Sequence, residues 1–179
     1  MKSVTSPLSR DTRGSAAVEL ALVIPLLLVI MFGSVELGNY FMNEHNLTVA
    51  VRDGARFAAR QSFTNYTACS GQPGGTVVAD TRHVVMDGYL STGSITTPNI
   101  ASSDVTLAVS CAASTDGQNM LGIYRSRFGG TCSGSSASGC AQIIEVDATV
   151  PYRSILGSLG FSGIGLNLTA SSQAAVTGI

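Results

Sequence analysis

The 179-residue chain has no tryptophan, only two histidines, 6% aromatic residues and 12% charged residues, and its net charge is −1. Each shortage excludes something. With no basic excess there is no electrostatic footprint for a nucleic-acid backbone. His45 and His83 lie apart from one another and from the cysteines, and neither belongs to an HExxH pattern. There is no Ser/His/Asp grouping in a recognisable context and no glycine-rich phosphate loop after a strand, and the acids are scattered. The sequence therefore points to no catalytic centre, no metal site and no cofactor. Its length accommodates one membrane helix and one ordinary domain, not two large ones.

What the chain does have is a long apolar run. From Ser15 to Gly33 it reads Ser-Ala-Ala-Val-Glu-Leu-Ala-Leu-Val-Ile-Pro-Leu-Leu-Leu-Val-Ile-Met-Phe-Gly, with Glu19 as its single charge and Arg13-Gly14 immediately before it. The run is about as long as a bilayer core is thick. A carboxylate near the centre of that core costs roughly 2.5–3.5 kcal/mol on insertion scales, so an acid there needs a partner. Cleavage between Gly14 and Ser15 would supply one, because Glu19 would then lie about one helical turn from a new, positively charged α-amino group. The bland alternative is an interfacial acid at the start of an ordinary anchor.

The flanks favour cleavage on the near side of the run. The leader, residues 1–14, is polar and carries Lys2, Arg10 and Arg13 against Asp11. A secretory signal has the opposite layout, with small residues and the cut after the apolar region, and none are suitably placed after Met31-Phe32-Gly33. Beyond the run come Glu36 and Glu44, and the first basic residue is Arg52. The positive-inside rule then sets the N-terminus in the cytoplasm and the C-terminal domain in the periplasm or outside.

The stretch Arg13-Gly14-Ser15-Ala16-Ala17-Val18-Glu19-Leu20-Ala21-Leu22-Val23-Ile24-Pro25-Leu26-Leu27-Leu28 resembles the N-terminus of TadE-like proteins, minor pseudopilins of tight-adherence (Flp, type IVc) pili. Ala50-Val51-Arg52-Asp53-Gly54-Ala55-Arg56-Phe57-Ala58-Ala59 is similar to that family's segment after the membrane helix. The resemblance implies processing at Gly14-Ser15 by a membrane aspartyl prepilin peptidase, retention of the helix in the inner membrane, and a structural, non-enzymatic part in building adhesive pili. It also implies the partners: the major Flp pilin, other minor pseudopilins, the inner-membrane assembly platform and membrane lipid. Major Flp pilins have Glu-Tyr at the processing motif and are very short, whereas this chain has Glu19-Leu20 and a large C-terminal region, which argues for a minor subunit. The competing function is an unprocessed single-span envelope protein whose exported domain binds a ligand or a surface.

Beyond the membrane, Tyr40, Leu47, Val51, Ala55 and Ala58 recur at helical spacing, so the periodicity predicts one helix from about Ser15 to Gln61, with the membrane part at 15–37 and a protruding stalk at 38–61. Pro25 is the expected kink, and Gly33, Gly38 and Gly54 are expected close-packing or bending points. An exported domain, 62–179, follows. Ser62 to Gly75 reads as a loop and Thr76 to Leu90 as a helix with Val77, Val78, Val84, Val85 and Tyr89 on its buried side. Alternation predicts strands at Asp104 to Cys111, Ile143 to Tyr152 and Leu166 to Val176. The fold class is α+β: a long N-terminal transmembrane and stalk helix, then a small antiparallel sheet with one additional helix, which is also the pseudopilin plan.

All four cysteines, Cys69, Cys111, Cys132 and Cys140, fall in the exported part, and an even number there suits disulfides. Three pairings are open. Joining Cys132 to Cys140 closes a short Gly/Ser loop within the long connection Ala112 to Ala141 and leaves Cys69 for Cys111. Zinc is the rival explanation, but there is no C-x₂-C pair and no histidine nearby. Three Asn-x-Thr sequons, at Asn46, Asn65 and Asn167, are cheap matches in a Ser/Thr-rich chain.

Overall fold

Helix-forming apolar residues continue without a break from the membrane-length run into the periodic stretch that follows, and one helix results. In the computed structural model, which describes residues 12–88, 100–112, 141–158 and 165–178, α1 spans Thr12–Ala59. At 1.5 Å per residue it is about 70 Å long. It continues through Pro25, whose missing N–H deprives the Ala21 carbonyl of its helical donor.

The half of α1 beyond the apolar run packs against the rest of the chain. Leu47, Val51, Ala55, Ala58 and Ala59 are buried and Tyr40 and Ala50 partly so, which makes the periodic stripe one wall of the core. The stalk segment, 38–61, thus carries its stripe packed against the chain's own domain. Its last carbonyls, which no helical N–H can reach, are taken up from two sides. The Tyr66 hydroxyl donates to Ala58 O, and Thr177 N–H donates to Ala59 O at 2.8 Å.

Three antiparallel strands form the opposite wall, in the order β1 (Val105–Ala112), β2 (Ala141–Pro151), β3 (Asn167–Ala175). Their alternation is the predicted one. Leu107 stands opposite Val146 and Val109 opposite Ile144, Val150 opposite Leu168, and these side chains are buried. The other face is polar: Gln173 and Ser171 donate to Glu145 Oε1 at 3.0 and 3.4 Å. The outer edge of β1 is partly covered, since Val109 N–H donates to Gly71 O at 2.8 Å. A disulfide joins Cys69 to Cys111 beside that contact. On a chain-entropy estimate, a cross-link closing a loop of this length contributes about 4 kcal/mol. Cys132 and Cys140 lie outside the described residues.

The second helix, α2 (Val77–Asp87), packs across α1 and buries Val77, Thr81 and Val85. Val78 and Val84 are only half-buried. It stops short of Leu90 because Gly88 takes the left-handed conformation (φ 72°) and returns its N–H to Val84 O, a glycine C-cap. Arg82 Nε donates to Val105 O at 3.0 Å and ties α2 to β1. A short helix, α3 (Ile155–Ser158), follows β2 and was not anticipated.

Of the three glycines expected at close approaches in α1, only Gly54 meets another element. A Cβ there would lie 2.4 Å from Val85 Cγ2 and 3.4 Å from Thr81 Cγ2, while Gly33 and Gly38 face open space. Gly54→Ala should therefore destabilise the domain by about 1–3 kcal/mol through overpacking, and Gly38→Ala should be neutral or slightly stabilising. Thermal unfolding of the detergent-solubilised protein checks both.

Burial also pushes the Tyr66 hydroxyl up from 10.0 to about 12. In the unfolded chain the group ionises near 10. Its stabilising contribution is thus complete below about pH 10 and is lost as the pH rises toward 12. The denaturation midpoint should fall across that window. Tyr66→Phe should flatten the fall while costing about 1 kcal/mol at neutral pH.

Candidate functional site

The apolar half of α1 is the most unusual surface of the molecule. Leu20, Leu22, Leu26, Leu27, Val29 and Ile30 are all exposed, on every side of the helix, and the helix is long and apolar enough to cross a membrane. Gly14 and Ser15 lie in its first turns. Glu19 follows, exposed, one turn beyond Ser15 and about 6 Å along the axis. Side chains four residues apart share a helix face, so an amine at Ser15 would sit within reach of that carboxylate.

The next acid along the helix is Glu36, 17 residues later. At 1.5 Å per residue the two carboxylates are about 26 Å apart along the axis, close to the thickness of a hydrocarbon core. Glu19 and Glu36 thus bracket an uncharged span about as long as a hydrocarbon core is thick, with Glu19 at one end of it.

Glu36 is fully engaged. Its Oε1 accepts from the Tyr152 hydroxyl at 2.8 Å, and its Oε2 accepts from the backbone N–H groups of Ile155 and Leu156 at 3.1 and 3.2 Å. The same Tyr152 oxygen accepts from Asn39 Nδ2 at 2.9 Å, and the Tyr152 ring meets Tyr40 edge-on with centroids 5.2 Å apart. Ser154 Oγ accepts from Gly157 N–H at 2.6 Å and holds the turn that presents α3. Partial burial, and then the bond to Glu36, raise the Tyr152 hydroxyl above its usual pKa, against a smaller lowering from Asn39.

This clamp joins the apolar span to the end of β2, and sequence reasoning missed it. Glu36 counted there only as a charge for orientation. The available signal was an isolated acid at the end of an apolar run together with Tyr-Arg-Ser at the end of a strand, but nothing in the spacing pairs residues 116 positions apart. Of the other residues singled out, Cys69 and Cys111 are brought together. Gly14, Ser15, Glu19 and Pro25 lie along the first half of α1.

Removing the clamp should loosen the junction between helix and sheet. Glu36→Gln and Tyr152→Phe should each cost about 1–2 kcal/mol, and the double variant should cost less than the sum of the two because they share one interaction. Unfolding midpoints of the three variants in detergent, with proteolysis near Arg153 as a local readout, check this.

Residues 14–56 match the family model described as TadE-like protein. No curated protein and no solved structure matches the chain. The matched segment begins at Gly14, includes Glu19 and the apolar span, and ends within the buried stripe that docks α1 on the sheet. Over that segment, about a quarter of its length, the chain is similar to TadE-like proteins.

Proposed function

We propose that the protein is a minor pseudopilin of the tight-adherence pilus, cleaved between Gly14 and Ser15 and inserted through α1 into a helical assembly with the major pilin and other minor subunits. One observation carries the reading: the apolar run 15–33 of α1, exposed on all sides, has its only charge, Glu19, one turn after Gly14-Ser15, within the segment that matches the family. Before assembly, lipid covers those side chains, with the N-terminus cytoplasmic and the sheet domain periplasmic. In an assembly, neighbouring helices cover them.

Cleavage by a prepilin peptidase removes the basic leader and exposes the Ser15 amine. Glu19 then pairs with that amine or with the one on the adjacent subunit. In surroundings of low dielectric the attraction is strengthened, and an axial register that leaves the acid unpaired is penalised. The domain, fixed to the same helix, initiates, caps or decorates the filament. The role is structural, with the inner-membrane platform as the site of insertion.

Intact mass of the membrane-extracted protein, from cells with an active prepilin peptidase, should show loss of residues 1–14 with Ser15 at the N-terminus. A full-length chain would instead indicate an unprocessed anchor. Glu19→Gln should still be cleaved, but its recovery in sheared filaments should drop about tenfold, the equivalent of about 1.4 kcal/mol in register energy. Unchanged recovery would refute the pairing.

A further inference from the structure

We infer that the membrane-facing end of the sheet domain is a lipid-binding surface, seated in the headgroup layer of the outer leaflet by Ile155, Leu166, Phe41 and Met42. It rests on α1 crossing a bilayer and not on pilus assembly.

The apolar surface of α1 does not stop at the acid that ends the uncharged span. Leu37, Phe41 (57% exposed) and Met42 (67% exposed) carry it about 9 Å past Glu36. That height spans the interfacial layer of a bilayer, about 5–8 Å on each side of the hydrocarbon core. The sheet domain reaches down to the same level. Tyr152 is bonded to Glu36, Ile155 N–H is bonded to Glu36, and Tyr152 N–H donates to Leu166 O at 2.8 Å.

Outside α1, Ile155 (44% exposed) and Leu166 (45% exposed) are the large apolar side chains left open among the described residues, and both are at this end. Among the described residues, the far end of the sheet, around Ala175 and Ala112, has none. Aromatic rings gather here as well: Tyr40, Phe41 and Tyr152 lie at one level, the arrangement expected where amphipathic rings meet headgroups.

Charge agrees. Among the described residues at this level, 35–42, 150–158 and 165–168, the ionisable acid and base are Glu36 and Arg153. Glu36 is consumed by three donors. The exposed Arg153, two residues before Ile155, remains as a cation for lipid phosphate. The clamp thus presents an apolar rim and one positive charge at the depth where acyl chains give way to phosphate, and it holds the domain down on the membrane.

The absence of native tryptophan makes the test clean. Single variants Ile155→Trp, Leu166→Trp, Leu28→Trp and Ala175→Trp of the full-length protein are placed in phosphatidylcholine nanodiscs at one copy per disc, with lipids brominated either near the headgroup or at mid-chain. All four positions are exposed, so none disturbs the core. Mid-chain bromine should quench Leu28→Trp, which confirms that α1 spans the disc. Bromine near the headgroup should quench Ile155→Trp and Leu166→Trp, with blue-shifted emission and iodide quenching about threefold weaker than for Ala175→Trp, as for side chains lodged at the headgroup boundary.

If Leu28→Trp is quenched while Ile155→Trp and Leu166→Trp behave like Ala175→Trp, the inference fails and the anchor stands. If Leu28→Trp is not quenched either, the anchor fails with it. Protection that appears only at two or more copies per disc assigns the surface to a second copy of the chain and overturns the lipid reading.

Discussion

A single unbroken helix has to satisfy two solvents, and the rest of the molecule is arranged around that constraint. Through its first half, α1 exposes apolar side chains in every direction, which only lipid or other apolar helices can cover. Through its second half it has one buried face and one polar face, the pattern of a helix packed on a domain. The changeover occurs within a few residues, and the Glu36 carboxylate marks it by taking hydrogen bonds from Tyr152 and from the start of α3. A rigid connection follows. Movement or force applied to the span passes to the sheet through packing and hydrogen bonds, with no flexible linker between them.

The buried half of α1 explains the composition of the core. Valine and alanine predominate over aromatics, and Ala55, Ala58 and Gly54 allow α1 to lie close to the sheet and to α2. Close approach limits side-chain volume, so the core gains stability through covalent and polar ties as well as apolar area. The Cys69–Cys111 bridge holds the segment after α1 to the end of β1. Tyr66 and Thr177 close the last turn of α1. These ties sit at the end of the domain remote from Glu36, so the helix is gripped at both ends of its docked half.

Much of this was legible in the residues. Alternation in Ile144, Val146, Ala148 and Val150 specified a strand with one buried face, because a period of two has only one solution on a sheet. The stripe Leu47, Val51, Ala55 and Ala58 specified a docked helix face in the same way. Other features were not legible, each for a local reason. Thr81 proved to be buried where a hydrophobic count favoured Val78 and Val84, because its methyl group meets Gly54. The helix α2 ended at Asp87 because Gly88 adopts a left-handed cap, a choice that a mid-pattern glycine does not announce. The four-residue α3 is too short to have a period at all.

The sequence by itself determined the chemistry along the chain: an apolar span bracketed by Glu19 and Glu36, a basic segment before it, Gly14-Ser15 at its start, and strands with one apolar face. These properties are local, set by composition and spacing over a few turns. Only the tertiary structure decided what the second half of the helix is for and what Glu36 does. Whether a stripe covers its own sheet or another subunit, and which donors a carboxylate meets from more than a hundred residues away, depends on how the chain returns upon itself. Here Tyr152 comes back to the level of residue 36, and the second half of the helix becomes the floor of the core.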